Sequence, residues 1–204
     1  WYLEPGMLLV LRPNGTAVAV PFDAGKLAVT GPEVPVLEGI AIGANGTANL
    51  TVSTDGSLIF RSGNAQPSQR PVRAVRVTRS GQATDIDSAW SYTPGFNGGL
   101  SLSPDGSRLA VAIHGDPVGD IWIKDLDRGP LSRVTFDNSI KYRPIWMPDG
   151  ESVSYVIEDG QSSAILRRRA DGGGAVDTVV ASTHTIAEAA WSGAGSWLAY
   201  RITM

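Results

Sequence analysis

The feature that most constrains this protein is a corner that recurs. Ser53-Thr54-Asp55-Gly56, Ser103-Pro104-Asp105-Gly106 and Met147-Pro148-Asp149-Gly150 each stand between two apolar runs. A weaker copy, Trp191-Ser192-Gly193-Ala194-Gly195, and a remnant, Pro5-Gly6, extend the series. The corner glycines Gly6, Gly56, Gly106, Gly150 and Gly195 are therefore spaced by 50, 50, 44 and 45 residues. A tight turn between antiparallel strands needs a residue that tolerates φ > 0 and a side chain able to bond its own backbone. Asp-Gly supplies both, and proline presets the entry. A period of roughly 40 to 50 residues built on such corners is that of one four-stranded propeller blade. The expected fold is all-β, a β-propeller of four-stranded antiparallel blades, about four to five in this sequence.

The apolar runs agree with this period. The first unit reads as strands over 7–11, 16–22 and 34–38, with Asn14-Gly15 as a hairpin turn. The second has strands over 49–53, 57–61, 72–78 and 83–86, with a polar loop over 62–71. The third has 99–103, 108–114, 120–125 and 131–135, and the fourth 144–147, 152–158, 163–168 and 177–180. Two strands, 187–192 and 196–203, begin a fifth. Repeat units thus lie near 1–45, 46–95, 96–139, 140–184 and 185–204, forming a single propeller domain or a fragment of one. No stretch carries a 3.6-residue apolar period, so helices are expected to be minor or absent. Trp122, Trp146, Trp191 and Trp197 are read as strand residues whose rings fill the wedges between blades.

Composition closes off several function classes. The 204 residues carry 17 basic and 20 acidic side chains, a net charge of −3, so no global field recruits nucleic acid or an anionic membrane. The one basic run, Arg167-Arg168-Arg169, reads as a solvated outer strand. The absence of cysteine removes disulfides, thiolate nucleophiles and cysteine-ligated metals. The longest apolar runs are a few residues, so no direct membrane insertion and no signal peptide are expected within these residues. A start at Trp1 without methionine suggests a piece of something longer.

Here a resemblance enters. The segments 102–111 (Leu-Ser-Pro-Asp-Gly-Ser-Arg-Leu-Ala-Val), 119–123 (Gly-Asp-Ile-Trp-Ile), 131–136 (Leu-Ser-Arg-Val-Thr-Phe) and 144–150 (Pro-Ile-Trp-Met-Pro-Asp-Gly) resemble TolB-type propeller repeats. The resemblance covers essentially all of the sequence. More narrowly, 2–10 (Tyr-Leu-Glu-Pro-Gly-Met-Leu-Leu-Val) followed by Val20-Pro21-Phe22-Asp23 looks like the propeller at the C-terminal end of many bacterial receptor-type serine/threonine kinases. The resemblance implies a ring of six blades, a place outside the cytoplasm or in the periplasm, and a role as a sensor or docking domain. The sequence departs from the family at Gly193-Ala194, where Pro-Asp is expected, and in its short blade count. Three strands in the first unit, four in each of the next three and two in the last leave a ring open, which implies a fragment or a homo-oligomer that completes the propeller.

Catalytic motifs are missing. There is no glycine-rich phosphate loop, no His-Arg-Asp, no Asp-Phe-Gly and no Gly-x-Ser-x-Gly elbow. Gly172-Gly173-Gly174 reads as a hairpin turn. With His114 at a strand end and His184 in a Ser/Thr-rich loop, no metal site is expected. Asp55, Asp105 and Asp149 invite comparison with carboxylates gathered in glycosidase propellers. Each occupies the same turn position, and a repeated position serves a repeated structural need, so they are assigned as structural turn residues. Asp116, Asp120 and Asp125 crowd the third unit without converging. Sequons occur at Asn14, Asn45 and Asn49, and Asn14-Gly15 and Asn45-Gly46 already have turn explanations.

The reading is a non-catalytic binding or scaffold domain, with no cofactor and with a protein or small-molecule partner of unknown identity. Asn97, Tyr142, Arg143 and Glu188 open inner strands and are the candidate binding residues of the channel mouth. Two other readings are an accessory propeller that gates an oligopeptidase and a glycosidase-like propeller enzyme.

Overall fold

A computed structural model of the protein describes residues 1–3, 6–42, 50–53, 57–62, 71–78, 80–95, 97–115, 118–127, 129–160 and 162–203. Among them are nineteen strands and no helix. Two compact units are present, Trp1–Ser68 with Arg73–Ile86, and Gln69–Val72 with Asp87–Met204.

In the first unit, β1 (Tyr2–Leu3), β2 (Met7–Leu11), β3 (Ala17–Asp23) and β4 (Ala28–Val29) form one antiparallel sheet, and β5 (Val34–Leu37) also pairs with β3. The sequence pattern predicts only three strands here. The short β1 and β4 escape it because two-residue strands carry no periodicity. β6 (Leu50–Val52), β7 (Leu58–Phe60), β8 (Val75–Val77) and β9 (Ala83–Asp85) make the next four-stranded sheet. Leu9, Ala17, Ile40, Leu50, Phe60 and Val77 form the core of this unit.

The second unit holds two four-stranded blades and half of another. β10 (Leu100–Leu102), β11 (Arg108–Ile113), β12 (Asp120–Asp125) and β13 (Leu131–Arg133) form the first. β14 (Ile140–Trp146), β15 (Ser152–Asp159), β16 (Ser162–Arg169) and β17 (Asp177–Ser182) form the second, and β18 (Ile186–Trp191) with β19 (Leu198–Ile202) the half blade. Within these sheets every pairing is antiparallel and between sequence neighbours, the plan of a β-propeller. Strands β11 and β15 are buried on both faces, so their sequences are near-continuous apolar runs instead of alternations. β14 packs on β10, β11 and β12, and β16 on β18. Between these sheets sit Ala110, Ile123, Val134, Trp146, Val153 and Ala170, and then Tyr142, Val156, Ile165 and Ile186.

The corners fold alike. Gly106, Gly150 and Gly195 have φ of 73°, 68° and 71°, and each amide donates to the carbonyl three residues back, on Ser103, Met147 and Ser192, at 2.9, 3.0 and 2.8 Å. Gly195 adopts this turn although Gly193-Ala194 replaces Pro-Asp. The positive φ of the glycine, not the aspartate, defines the bend.

β14 begins four residues earlier than the sequence suggests. Pro144 looks like a strand boundary, but it falls in a bulge where the register shifts between Tyr142 and Ile145, on a strand at the edge of its sheet, and both settings tolerate a residue without an N–H. Of the four tryptophans, Trp146 is 5% exposed and Trp197 is 79% exposed, just before β19. Trp197 therefore fills no wedge among the described residues.

A buried polar group joins the two complete blades of this unit. The Lys141 ammonium, on β14, is fully enclosed and lies 3.4 Å from Asp120 Oδ1 on β12 and 3.0 Å from Asp137 Oδ1. It also donates to the carbonyls of Asp137 and Ser139 at 2.6 and 2.9 Å. Asp120 accepts from Thr135 Oγ1 at 2.7 Å and pairs with Arg133. Each charge in the group has partners, which is the condition for keeping ions in a core.

Candidate functional site

In the second unit Arg143 lies within β14 and Glu188 within β18, each seven residues before its corner glycine, where β10's blade has Gly99; Asn97 lies two residues further back, before β10. Two of the strands bulge there. The β14 ladder shifts between Tyr142 and Ile145, and the β18 ladder shifts between Ile186 and Glu188. A bulge re-aims the side chains beside it. Asn97 and Arg143 carry φ of 51° and 53°, conformations uncommon for residues with a Cβ. The Arg143 amide donates to the Gly98 carbonyl at 3.0 Å. Gly99 has φ +114°, and a Cβ there would stand 3.0 Å from Arg143 Cα. The backbone at Gly99 thus approaches β14 closely at the residue that is twisted.

Arg143 and Glu188 come together. Arg143 Nη1 is 3.7 Å from Glu188 Oε1, the guanidinium side chain is 11% exposed, and its Nε and Nη1 have no hydrogen-bond partner among the described residues. Burial pulls the Arg143 pKa below its ordinary value, with Glu188 opposing. Glu188 Oε2 is 3.6 Å from Arg201 Nη2 on β19, its cross-strand neighbour. Sequence reading does not single out Arg201, although its position opposite Glu188 follows once the β18–β19 hairpin is registered.

Tyr142 is placed elsewhere. Successive strand residues point to opposite faces, and Tyr142 is 1% exposed, packed with Val156, Ile165 and Ile186. Its hydroxyl is 3.3 Å from both Glu158 Oε2 and the Ile186 carbonyl, and burial, then Glu158, pushes its pKa up to about 12. It is a core residue with a satisfied hydroxyl and does not line a mouth.

The turn aspartates serve their own corners. Asp105 accepts from Ser103 Oγ at 2.6 Å and from the Ser107 amide and Oγ at 3.1 and 2.8 Å. Asp149 accepts from the amides of Glu151 and Ser152 at 2.8 and 3.1 Å. Asp55, Asp116, Asn45 and Asn49 lie outside the described residues. Asn14 Oδ1 accepts from the Thr16 amide at 3.1 Å, within its hairpin turn.

The basic run has local partners, acidic ones for two of its three arginines. Arg167 pairs with Asp177 at 2.6 Å, Arg168 donates to the Gly172 carbonyl at 2.7 Å, and Arg169 pairs with Asp171 at 2.9 Å. Among the described residues, no group of three or more His, Asp or Glu is placed to hold a metal ion. No helix there is long and apolar enough to cross a membrane.

Comparison with known proteins adds a family. The profile of the TolB beta propeller domain matches residues 68–203. The chain belongs to the TolB beta propeller domain family. No curated protein sequence gives a significant match. Among solved structures, a putative TolB from Agrobacterium tumefaciens aligns over 98% of this protein and 67% of its own length, with TM-score 0.72 and 20% identity. TolB from Acinetobacter baumannii aligns over 85% of this protein and 43% of its own length, with TM-score 0.56 and 17% identity. An oligogalacturonate lyase from Vibrio parahaemolyticus aligns over 94% and 54%, with TM-score 0.60 and 14% identity. At these identities the likeness is one of fold. The TolB-family protein spans about two thirds of the first of these structures and about half or less of the other two.

Proposed function

We propose that this TolB-family protein is a non-catalytic binding propeller, the sensor or docking part of a larger bacterial protein such as a receptor-type serine/threonine kinase. Its ligand, a protein or a small molecule, meets Asn97, Arg143 and Glu188. The observation behind the reading is Arg143: a buried guanidinium whose Nε and Nη1 lack hydrogen bonds among the described residues, held on a left-handed residue at a strand bulge. Conformations of this kind cost of order 1–3 kcal/mol and gather at ligand sites. A place outside the cytoplasm belongs to the same proposal and rests on the resemblance to receptor-kinase propellers.

The enzymatic readings have less support. The corner aspartates Asp105 and Asp149 are engaged by their own turns, and Arg143 and Glu188 have no second carboxylate opposite them, among the described residues, in the arrangement a glycosidase uses. The test is to incubate the purified protein with peptide, glycoside and uronate-containing oligosaccharide substrates while following turnover, and to follow thermal stability with the same set. Stabilisation without turnover is the expected result. Turnover that a single substitution of Asp105 or Asp149 abolishes, with unchanged melting, overturns the reading.

A second copy is proposed as one partner. The β18–β19 sheet stops at two strands where the preceding blades have four, and Tyr200 and Ile202 on β19 are 47% and 39% exposed. An open edge of this kind is a template for strand pairing. Light scattering at micromolar concentration is expected to show a dimer; a compact monomer removes this partner.

A further inference from the structure

The buried lysines of the second unit have acceptors. Lys141 donates to two carbonyls and faces two carboxylates. Lys124 donates to the Gly129 carbonyl at 2.9 Å, meets Asp87 at 3.1 Å and lies over the Trp90 ring at 5.7 Å. Arg143 differs: its ion pair, 3.7 Å long, is beyond hydrogen-bonding distance, and its Nε and Nη1 donate to nothing among the described residues. Removing a guanidinium from water without giving its N–H groups acceptors is costly. The fold nonetheless holds it there through the Gly98 carbonyl and the absence of a Cβ at Gly99.

The charges around it are unbalanced. Arg143 and Arg201 share the single carboxylate of Glu188, which lies 3.7 Å from one and 3.6 Å from the other and forms a hydrogen bond to neither. Two cations and one anion leave a local excess of one positive charge. Glu188 is 45% exposed on a two-stranded sheet, so its side chain has room to turn aside. The cluster lacks an acceptor of the size and charge of one carboxylate, the group a guanidinium fork matches best.

We propose that Arg143 is the anchor for a carboxylate of a bound peptide, and that Glu188 is the internal group this carboxylate replaces on binding. The proposal rests on the binding reading above and names the ligand chemistry at that site. The incoming carboxylate takes the guanidinium N–H groups, and Glu188 swings to Arg201, its cross-strand partner. Asn97 precedes β10, two residues before the Gly99 that packs against Arg143. The carboxylate comes either from the C-terminus of the peptide or from one of its Asp or Glu residues, and both present the same two oxygens.

The experiment uses the whole protein, 15N-labelled, with the arginine Nε–H and backbone amide signals followed by NMR. Three probes are titrated: acetyl-tetraalanine with a free C-terminus, acetyl-Ala-Ala-Ala-Glu-amide, and acetyl-Ala-Ala-Ala-Gln-amide. At least one carboxylate probe is expected to shift the Arg143 Nε–H and the Glu188 and Asn97 amides, and the neutral probe is expected not to. Response to the first probe alone identifies a terminal carboxylate, and to the second alone an acidic side group. Glu188→Gln removes the competing group and is expected to tighten binding about tenfold, on the scale of a single close charge pair. Arg143→Met abolishes the shifts, and Arg143→Lys restores part of them; the amide spectrum of each variant reports its fold. Equal response to all three probes overturns the carboxylate assignment while leaving a peptide-binding propeller. Shifts spread evenly over the exposed arginines, no response up to tens of millimolar, or unchanged affinity in both Arg143→Met and Glu188→Gln also overturn it.

Discussion

The Trp191 indole N–H donates to Ser154 Oγ at 2.9 Å, a bond that joins β18 to β15 across the wedge between two blades. It is one of few polar ties on the half blade, whose outer strand is exposed along most of its length. Ser154→Ala leaves the half-buried indole N–H without that acceptor and is expected to lower stability by about 1–3 kcal/mol. Trp191→Phe removes donor and acceptor need together and should cost less in polar terms, though it loses area. Urea melts of both variants measure the difference. A neutral Ser154→Ala change means the bond does not hold the half blade.

Trp146 and Trp197 should behave oppositely. Trp146 is 5% exposed with Arg108 stacked 4.6 Å from its ring, and Trp197 is 79% exposed. Trp146→Ala is expected to cost about 3–5 kcal/mol through the cavity it leaves. Trp197→Ala should stay within about 0.5 kcal/mol. Denaturant melts that show the reverse order would place the wrong tryptophan in the wedge.

Lys141 is fully enclosed while its partner Asp137 is 57% exposed. Lys141→Met strips Asp120 of one buried counter-charge and is expected to cost about 3–5 kcal/mol. Asp137→Asn removes a charge that water already screens, and a loss under about 1 kcal/mol is expected. Thermal melts at equal ionic strength compare the two.

Stability should fall in acid through the corner turns. Hydrogen bonds from Ser103 and Ser107 hold the Asp105 carboxyl at about 2, below the ordinary 3.8. Asp137 also lies at about 2, where burial works against the charge and bonds from Ser139 and Lys141 outweigh it. A folded-state value below the unfolded one means that this stabilisation is complete above about pH 4 and is lost as pH drops towards 2. Asp105→Asn should flatten the stability profile in that window and leave it unaltered near neutrality apart from a constant offset. An unchanged slope between pH 4 and 2 contradicts the assignment.

Gly99 and Gly81 separate backbone strain from crowding. Both have positive φ, +114° and +81°, but a Cβ at Gly99 meets Arg143 Cα at 3.0 Å and one at Gly81 meets nothing within 4 Å. Gly81→Ala should cost about 1 kcal/mol from strain alone, and Gly99→Ala more, by displacing β14. The Arg143 Nε–H signal should move only in the second variant.

The features legible in the residues alone are local ones. The corners at Gly106, Gly150 and Gly195 are set within a few residues by φ > 0 and a bond three residues back, so their spacing can be read directly and with it the blade plan, while the family is legible only as a resemblance of whole segments such as 102–111 and 144–150. Strand edges are harder, because Pro144 has opposite meanings at a boundary and in a bulge, and only the β15 partner decides between them. Burial of each tryptophan depends on whether a further strand or blade covers it, which is a matter of the whole sheet. The candidate site is the least legible. Arg143 and Glu188 are 45 positions apart in the numbering, and their meeting, like the missing acceptor for the guanidinium, arises from two bulges and a close approach at Gly99. A pairing between distant residues has no local signal; only the packed strands bring it about.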